Sequence, residues 1–218
     1  MVISHTALDH KGGRYFYRLH NLKIANLCQN YPKLKDYLYD MLKNCPNNYF
    51  NEGPRSSTLK FNLENLNQKY ISNHETGSLT KFGLEENAKR YKTSHSKVQV
   101  FMLENDFKTI AVEIPIWLSP TELECYQELF NSEKPLTGHI DLLRIEDDKI
   151  WVFDYKPNAE KEKFASTQIY FYALMLSKRT GIPLENFRCA YFDQNHCYAF
   201  KPEDISLKQP IKITEFCK

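Results

Sequence analysis

Apolar positions in this chain follow two rhythms. Between Ile140 and Tyr155 they keep to strand-like runs. Ile140, Leu142, Leu143 and Ile145 make one β-rich segment, and Ile150–Tyr155 makes a second. Between them lies Glu146-Asp147-Asp148-Lys149, a polar stretch suited to a tight turn. From Ala165 to Lys178 the rhythm becomes helical: Ile169, Ala173 and Leu176 form a stripe, no Gly or Pro intervenes, and Gly181 and Pro183 end the segment. Upstream, the pattern predicts a helix over Leu34–Leu42, begun by Pro32 and stopped near Pro46, then an Asn/Pro/Ser-rich loop over Asn44–Ser57. It further predicts a helix over Thr80–Tyr91 and strands near Val98–Leu103 and Lys108–Trp117. Ser119–Lys134 holds Glu and Leu at helical spacing, and two more strands lie near Phe187–Asp193 and His196–Phe200.

Charges inside these apolar runs carry the chemistry. A symmetric turn of two or four residues sets Ile145 opposite Ile150 and, counting outward, Asp141 opposite Asp154. Side chains alternate, so Asp154 and Lys156 share one face, while Trp151, Phe153 and Tyr155 take the other, core-like face. Facing carboxylates repel, and burying them is costly. A bound cation removes that penalty. Carboxylate oxygens are hard ligands, so Mg²⁺ or Mn²⁺ fits better than zinc. Such an ion can polarise a phosphoryl oxygen and lower the pKa of a bound water, with Lys156 orienting that water or offsetting charge on the phosphate. The bland alternative is a surface hairpin with scattered charges, and the apolar flanks of both aspartates argue against it.

Other positions are open at this level. Glu113 lies in the apolar run Ile110–Trp117, so it is either a second metal ligand or lysine partner, or half of a structural salt bridge. His139 alternates with Asp141 and is either a substrate contact or a satisfied structural histidine. Gln168 and Tyr172 are four apart on one helix face. Taken alone they read as a solvated Gln and a core Tyr.

Together these residues resemble the PD-(D/E)XK nuclease superfamily, in particular its RecB-like branch. Gly138-His139-Ile140-Asp141 matches the Gly-x-x-Asp strand, Asp154-Tyr155-Lys156 the acid-x-Lys strand, and Gln168 with Tyr172 the Gln-x-x-x-Tyr helix. The resemblance implies an α/β (α+β) fold: a restriction-endonuclease-like αβββαβ core with a mixed central sheet flanked by helices, and an N-terminal mainly helical elaboration. It divides the chain into an accessory region, 1–75, and a nuclease core, 76–218. It implies a Mg²⁺- or Mn²⁺-dependent DNA nuclease acting on single- or double-stranded DNA, with exonuclease favoured over endonuclease. Asp141, Asp154 and the Tyr155 carbonyl would hold the metal, and Lys156 would act beside it. The upstream ligand matches the Glu-x-x-Ala helix of lambda-exonuclease-like members at Glu85, with Glu86 next. The RecB-like branch often has a histidine there, and here His74 and His95 only flank the helix. Gln168 and Tyr172 would border the site, with His139, Lys161 and Lys163 as further substrate contacts. A catalytically silent nucleic-acid-binding or accessory subunit on the same fold, and an RNA-directed nuclease, are the alternatives.

Composition adds bounds. The chain has 218 residues, is 42 % hydrophobic and carries a net charge of +2, so any basic surface is local. Lys11-Gly-Gly-Arg-Tyr-Phe-Tyr-Arg18 mixes basic and aromatic residues; such mixtures grip phosphates and stack bases, or simply form amphipathic surface. No apolar run is long enough to span a membrane, and the N-terminus lacks the apolar stretch of a secretion signal, so the expected setting is cytoplasmic. A homo-oligomer is compatible with the family. Some RecB-like nucleases bind an iron–sulfur cluster through one early and three late cysteines. Cys28, Cys189, Cys197 and Cys217 give that count, but the close late pair is missing, so ordinary thiols are expected.

Overall fold

The hairpin register counted from the sequence is the one found in the computed structural model, which describes residues 1–207. Strands β5 (Leu136–Glu146) and β6 (Lys149–Tyr155) pair from Leu142↔Phe153 to Glu146↔Lys149, with Ile145 opposite Ile150. The turn is the two-residue form. Asp147 and Asp148 both have positive φ, 48° and 52°, the geometry whose twist matches a hairpin and which Asp tolerates.

This hairpin sits at the centre of an eight-stranded sheet ordered β1-β2-β4-β5-β6-β7-β8-β3. The other strands are β1 (Ile3–His10), β2 (Gly13–His20), β3 (Lys69–Tyr70), β4 (Thr109–Leu118), β7 (Phe187–Phe192) and β8 (Cys197–Phe200). Among the named strands of the described residues only β6 and β7 run parallel, because helix α6 (Ala165–Thr180) crosses between them. Gly181, at φ 66°, closes α6 by returning its N–H to the Ser177 carbonyl. The result is a mixed sheet flanked by helices, an α/β restriction-endonuclease-like fold.

Two apolar layers hold the helices on the sheet. On one face Ile169, Phe171, Tyr172 and Leu176 of α6 pack on Leu143, Ile145, Val152 and Cys189. Helix α2 (Pro32–Asn44) joins this layer through Leu34, Leu38 and Met41. On the other face Val98, Met102 and Leu103 of α4 (Ser94–Asn105) meet Val112, Leu142, Phe153, Tyr155 and Phe192. Each buried side chain of this size contributes roughly 1.5–3 kcal/mol. Helix α3 (Glu75–Glu86) lies beside α4.

A buried ion-pair network pins this second layer. Arg144 on β5 is fully buried beneath the Phe153 ring. Its Nε lies 3.0 Å from Asp106 at the end of α4, and its Nη2 meets Glu75 at the start of α3.

Several expectations change. The helical spacing over Ser119–Lys134 gives only the short helix α5 (Tyr126–Phe130). Val98–Leu103 is helix, not strand. Thr93 caps it by accepting the Ser96 N–H, and residues of both parities are buried, which a half-buried strand does not allow. The helix expected over Thr80–Tyr91 runs instead from Glu75 to Glu86 and ends at Asn87. The N-terminal third contributes α1 (Asn21–Leu27) and α2, and it also adds the β1–β2 hairpin to the sheet, through Arg18↔Val112 and Leu19↔Ala111. Among the described residues no helix is long and apolar enough to cross a membrane.

Candidate active site

Strand pairing is interrupted where the acids sit. The β4–β5 ladder passes through Val112↔Leu142 and Ile114↔Ile140, with Glu113 and Asp141 between them. Glu113 has φ 56°, a left-handed conformation that costs a non-glycine residue in a strand about 1–3 kcal/mol. Alternation breaks here on both strands. Val112 and Leu142 belong to the α4-side layer, while Ile114 and Ile140 belong to the α6-side layer. The two carboxylates therefore meet at one place. Gln99 of α4 joins them: its Nε2 donates to Glu113 Oε1 at 2.8 Å and to Asp141 Oδ1 at 3.2 Å.

The β5–β6 ladder stops at Leu142↔Phe153, one step before the aspartates. There the Asp141 carboxylate takes over and accepts the Tyr155 N–H at 2.9 Å. His95, one helical turn before Gln99, brings its Nε2 to 3.8 Å from Asp141 Oδ2 and sets its ring edgewise on Tyr155.

Asp154 is approached from the α6 side. Its Oδ2 lies 2.6 Å from Lys156 Nζ, and its Oδ1 accepts from Gln168 Nε2 at 3.3 Å. The same Nε2 donates to the Tyr172 phenol oxygen at 2.6 Å, while Gln168 Oε1 accepts from Lys156 Nζ at 2.9 Å. One amide thus positions the acid, the ammonium and the phenol. Tyr172 and Ser56, whose hydroxyl donates to the Thr137 carbonyl, both pack against Gly138, where a Cβ would collide with the ring.

The electrostatics are those of crowded acids. Burial and the neighbouring Asp141 and Asp154 charges push Glu113 up to about 8. Burial and Asp154 push Asp141 up to about 7, against the opposing pull of His95, Lys156 and the Tyr155 N–H. Lys156 is desolvated too, but Asp154 and Asp141 outweigh this and hold it above the usual lysine range, so it stays charged.

Of the residues singled out from sequence, Glu113, Asp141, Asp154, Lys156, Gln168 and Tyr172 come together here. Glu85 and Glu86 do not. Both are exposed on α3, and Glu85 lines a separate hollow with Lys81, Leu84, Gln194 and Asn195. The helix that presents side chains to Asp141 is the next one, α4. Lys161 and Lys163 are exposed in the segment before α6. His139 is 4 % exposed and faces away from the carboxylates into an aromatic group: His10 Nδ1 lies 2.9 Å from its Nε2, and Tyr15 stacks on its ring at 3.7 Å. Burial, His10 and Arg55 hold its pKa well below the usual histidine range. Gln99 and Ser56 were missed. The sign of Gln99 was its place four residues after His95, behind a Thr93 cap.

Among the described residues no three His, Cys, Asp or Glu side chains are already drawn into a metal cage. The donor chemistry still fits a hard divalent cation. The site offers three carboxylates, two of them with raised pKa values, and among the described residues buried Asp154 Oδ2 has no hydrogen-bond partner beyond its ion pair with Lys156. Of the cysteines singled out, Cys28 and Cys189 pack in the α6-side layer and Cys197 in the opposite one, and Cys217 lies outside the described residues.

No curated protein matches the chain. A family model for the PD-(D/E)XK nuclease superfamily matches residues 18–212, which span the whole site and most of the sheet. With the acids, the lysine and the fold all in place over that length, the chain belongs to the PD-(D/E)XK nuclease superfamily.

Proposed function

We propose that this protein is a Mg²⁺- or Mn²⁺-dependent deoxyribonuclease that hydrolyses phosphodiester bonds at the Asp141–Asp154–Lys156 site. The carrying observation is the Lys156 ammonium held at 2.6 Å from Asp154 by Gln168, beside a second buried carboxylate. Asp141, Asp154 and the Tyr155 carbonyl would hold the cation, with Glu113 joining from β4. A bound divalent ion would supply Lewis acidity toward the phosphate and ease deprotonation of the attacking water.

The chain's own residues do the rest. Lys156 stays protonated, so it acts as a cation and donor: it orients the attacking water and stabilises negative charge developing on the phosphate. Gln168 fixes Lys156 and Asp154 relative to each other. Tyr172, with a pKa raised by burial and by both aspartates, stays a neutral phenol that anchors Gln168. The preference for DNA and for cutting from an end rests on the likeness of the Gly138–Asp141, Asp154–Lys156 and Gln168–Tyr172 motifs to the RecB-like branch.

The test is incubation with end-labelled single- and double-stranded DNA and RNA, in Mg²⁺, Mn²⁺ or EDTA. The expected result is cation-dependent loss of DNA from its ends. Cutting of RNA alone, or cutting unaffected by EDTA, contradicts the proposal.

A further inference from the structure

The β1–β2 hairpin carries an exposed side-chain face that the apolar layers leave uncovered. On β2 this face shows Arg14, Phe16 and Arg18 at alternate positions, and opposite them on β1 stand Asp9, Ala7 and His5. The other face of the hairpin is core: Tyr17 and Leu19 are fully buried. Phe16 is 43 % exposed, and its cross-strand neighbour is only an alanine, so the ring lies open. The Arg18 guanidinium sits 5.2 Å from the Phe16 ring centroid. Arg14 reaches Asp9 at 3.3 Å, but that pair is exposed and screened, and holds little energy.

This face is continuous with the site. Arg18 pairs across the sheet with Val112, the residue before Glu113, and its charge acts on the Glu113 carboxylate. An exposed aromatic ring with the Arg18 guanidinium against it and Arg14 two residues along the strand, one strand from a phosphodiester-cleaving centre, matches the chemistry of unpaired nucleic acid. Bases stack on the ring, and phosphates pair with the arginines. A duplex offers no free base face to such a ring.

We infer that the β1–β2 hairpin is a platform for a single-stranded segment of the substrate, with Phe16 stacking a base and Arg14 and Arg18 holding the flanking phosphates. The inference rests on the nuclease reading for the identity of the bound polymer, and its test is independent of cleavage. Binding of fluorescein-labelled single-stranded DNA, single-stranded RNA and blunt duplex DNA is followed by anisotropy in EDTA. Phe16→Ala weakens single-strand binding on the order of 10-fold, with duplex binding much less affected, and Phe16→Trp restores it. Arg14→Ala and Arg18→Ala each lower the salt slope of single-strand binding by about 0.7. Equal affinity of Phe16→Ala and parent for single strands overturns the inference, as does failure of the parent to bind any oligonucleotide. A change of oligomeric state in Phe16→Ala with oligonucleotide binding intact also overturns it, because the face is then a protein interface. If Asp154→Asn abolishes cutting but Phe16→Ala binds normally, only the platform falls. If the parent cuts nothing yet binding depends on Phe16, only the nuclease reading falls.

Discussion

The Tyr172 ring occupies the space that a Cβ at Gly138 would need. This contact ties the start of the motif strand to the motif helix, since Tyr172 holds Gln168 and Gln168 holds both Lys156 and Asp154. Gly138→Ala therefore acts at a distance from the acids. It is expected to destabilise the fold by about 1–3 kcal/mol, as overpacking does, and to lower kcat by displacing the phenol. Urea unfolding together with steady-state cleavage checks both effects.

Gln168 should behave as a positioning residue. Gln168→Ala leaves Lys156 and Asp154 without the amide that fixes their geometry. The expected outcome is a kcat lower by about 10- to 100-fold with KM little changed. A change confined to KM instead assigns Gln168 to substrate binding alone.

The crowded acids make stability depend on pH in an unusual sense. Burial and mutual repulsion make the Glu113–Asp141 pair hold protons from the ordinary 4.5 and 3.8 up into the neutral range. Between those limits the folded state binds more protons than the unfolded one, so their contribution to stability falls as pH rises. In EDTA, Glu113→Gln is expected to be more stable than the parent at pH 8, by about 1 kcal/mol or more, and to differ little at pH 4. Mg²⁺ should raise the Tm of the parent at pH 8 more than that of Glu113→Gln. Thermal melts across pH, with and without Mg²⁺, decide this.

Arg144 lies outside the site and tests the scaffold. Arg144→Ala strands Asp106, 6 % exposed, without its buried partner. The expected cost is about 3–5 kcal/mol, with cleavage per folded molecule unchanged. A loss of kcat without a loss of stability points to a role nearer the chemistry.

Legibility from sequence followed the range of the interactions. The β5–β6 register was readable because a two-residue turn and the alternation around it are local, and so was α6, with its Gly181 stop. Helical spacing put Gln168 and Tyr172 on one helix face, and the family resemblance placed that face at the site. The upstream side was misread because Val98-Gln-Val-Phe-Met-Leu103 is rich in β-formers and alternates enough to mimic a strand, while the Thr93 cap and the packing on β4 make it helix. The Glu-x-x-Ala likeness points to Glu85 on α3, whereas Gln99 and His95, which reach Asp141, lie on α4. The left-handed turn at Glu113, which carries it to Asp141, depends on two neighbouring strands and has no local signature.

The most direct measurement is cleavage of end-labelled DNA in Mg²⁺ by the parent, Asp154→Asn and Lys156→Ala, with circular dichroism confirming that all three are folded. The account expects cation-dependent cutting by the parent and a loss of at least about 100-fold in each variant, the scale of losing one electrostatic stabiliser. Two folded variants that cut as fast as the parent would contradict it.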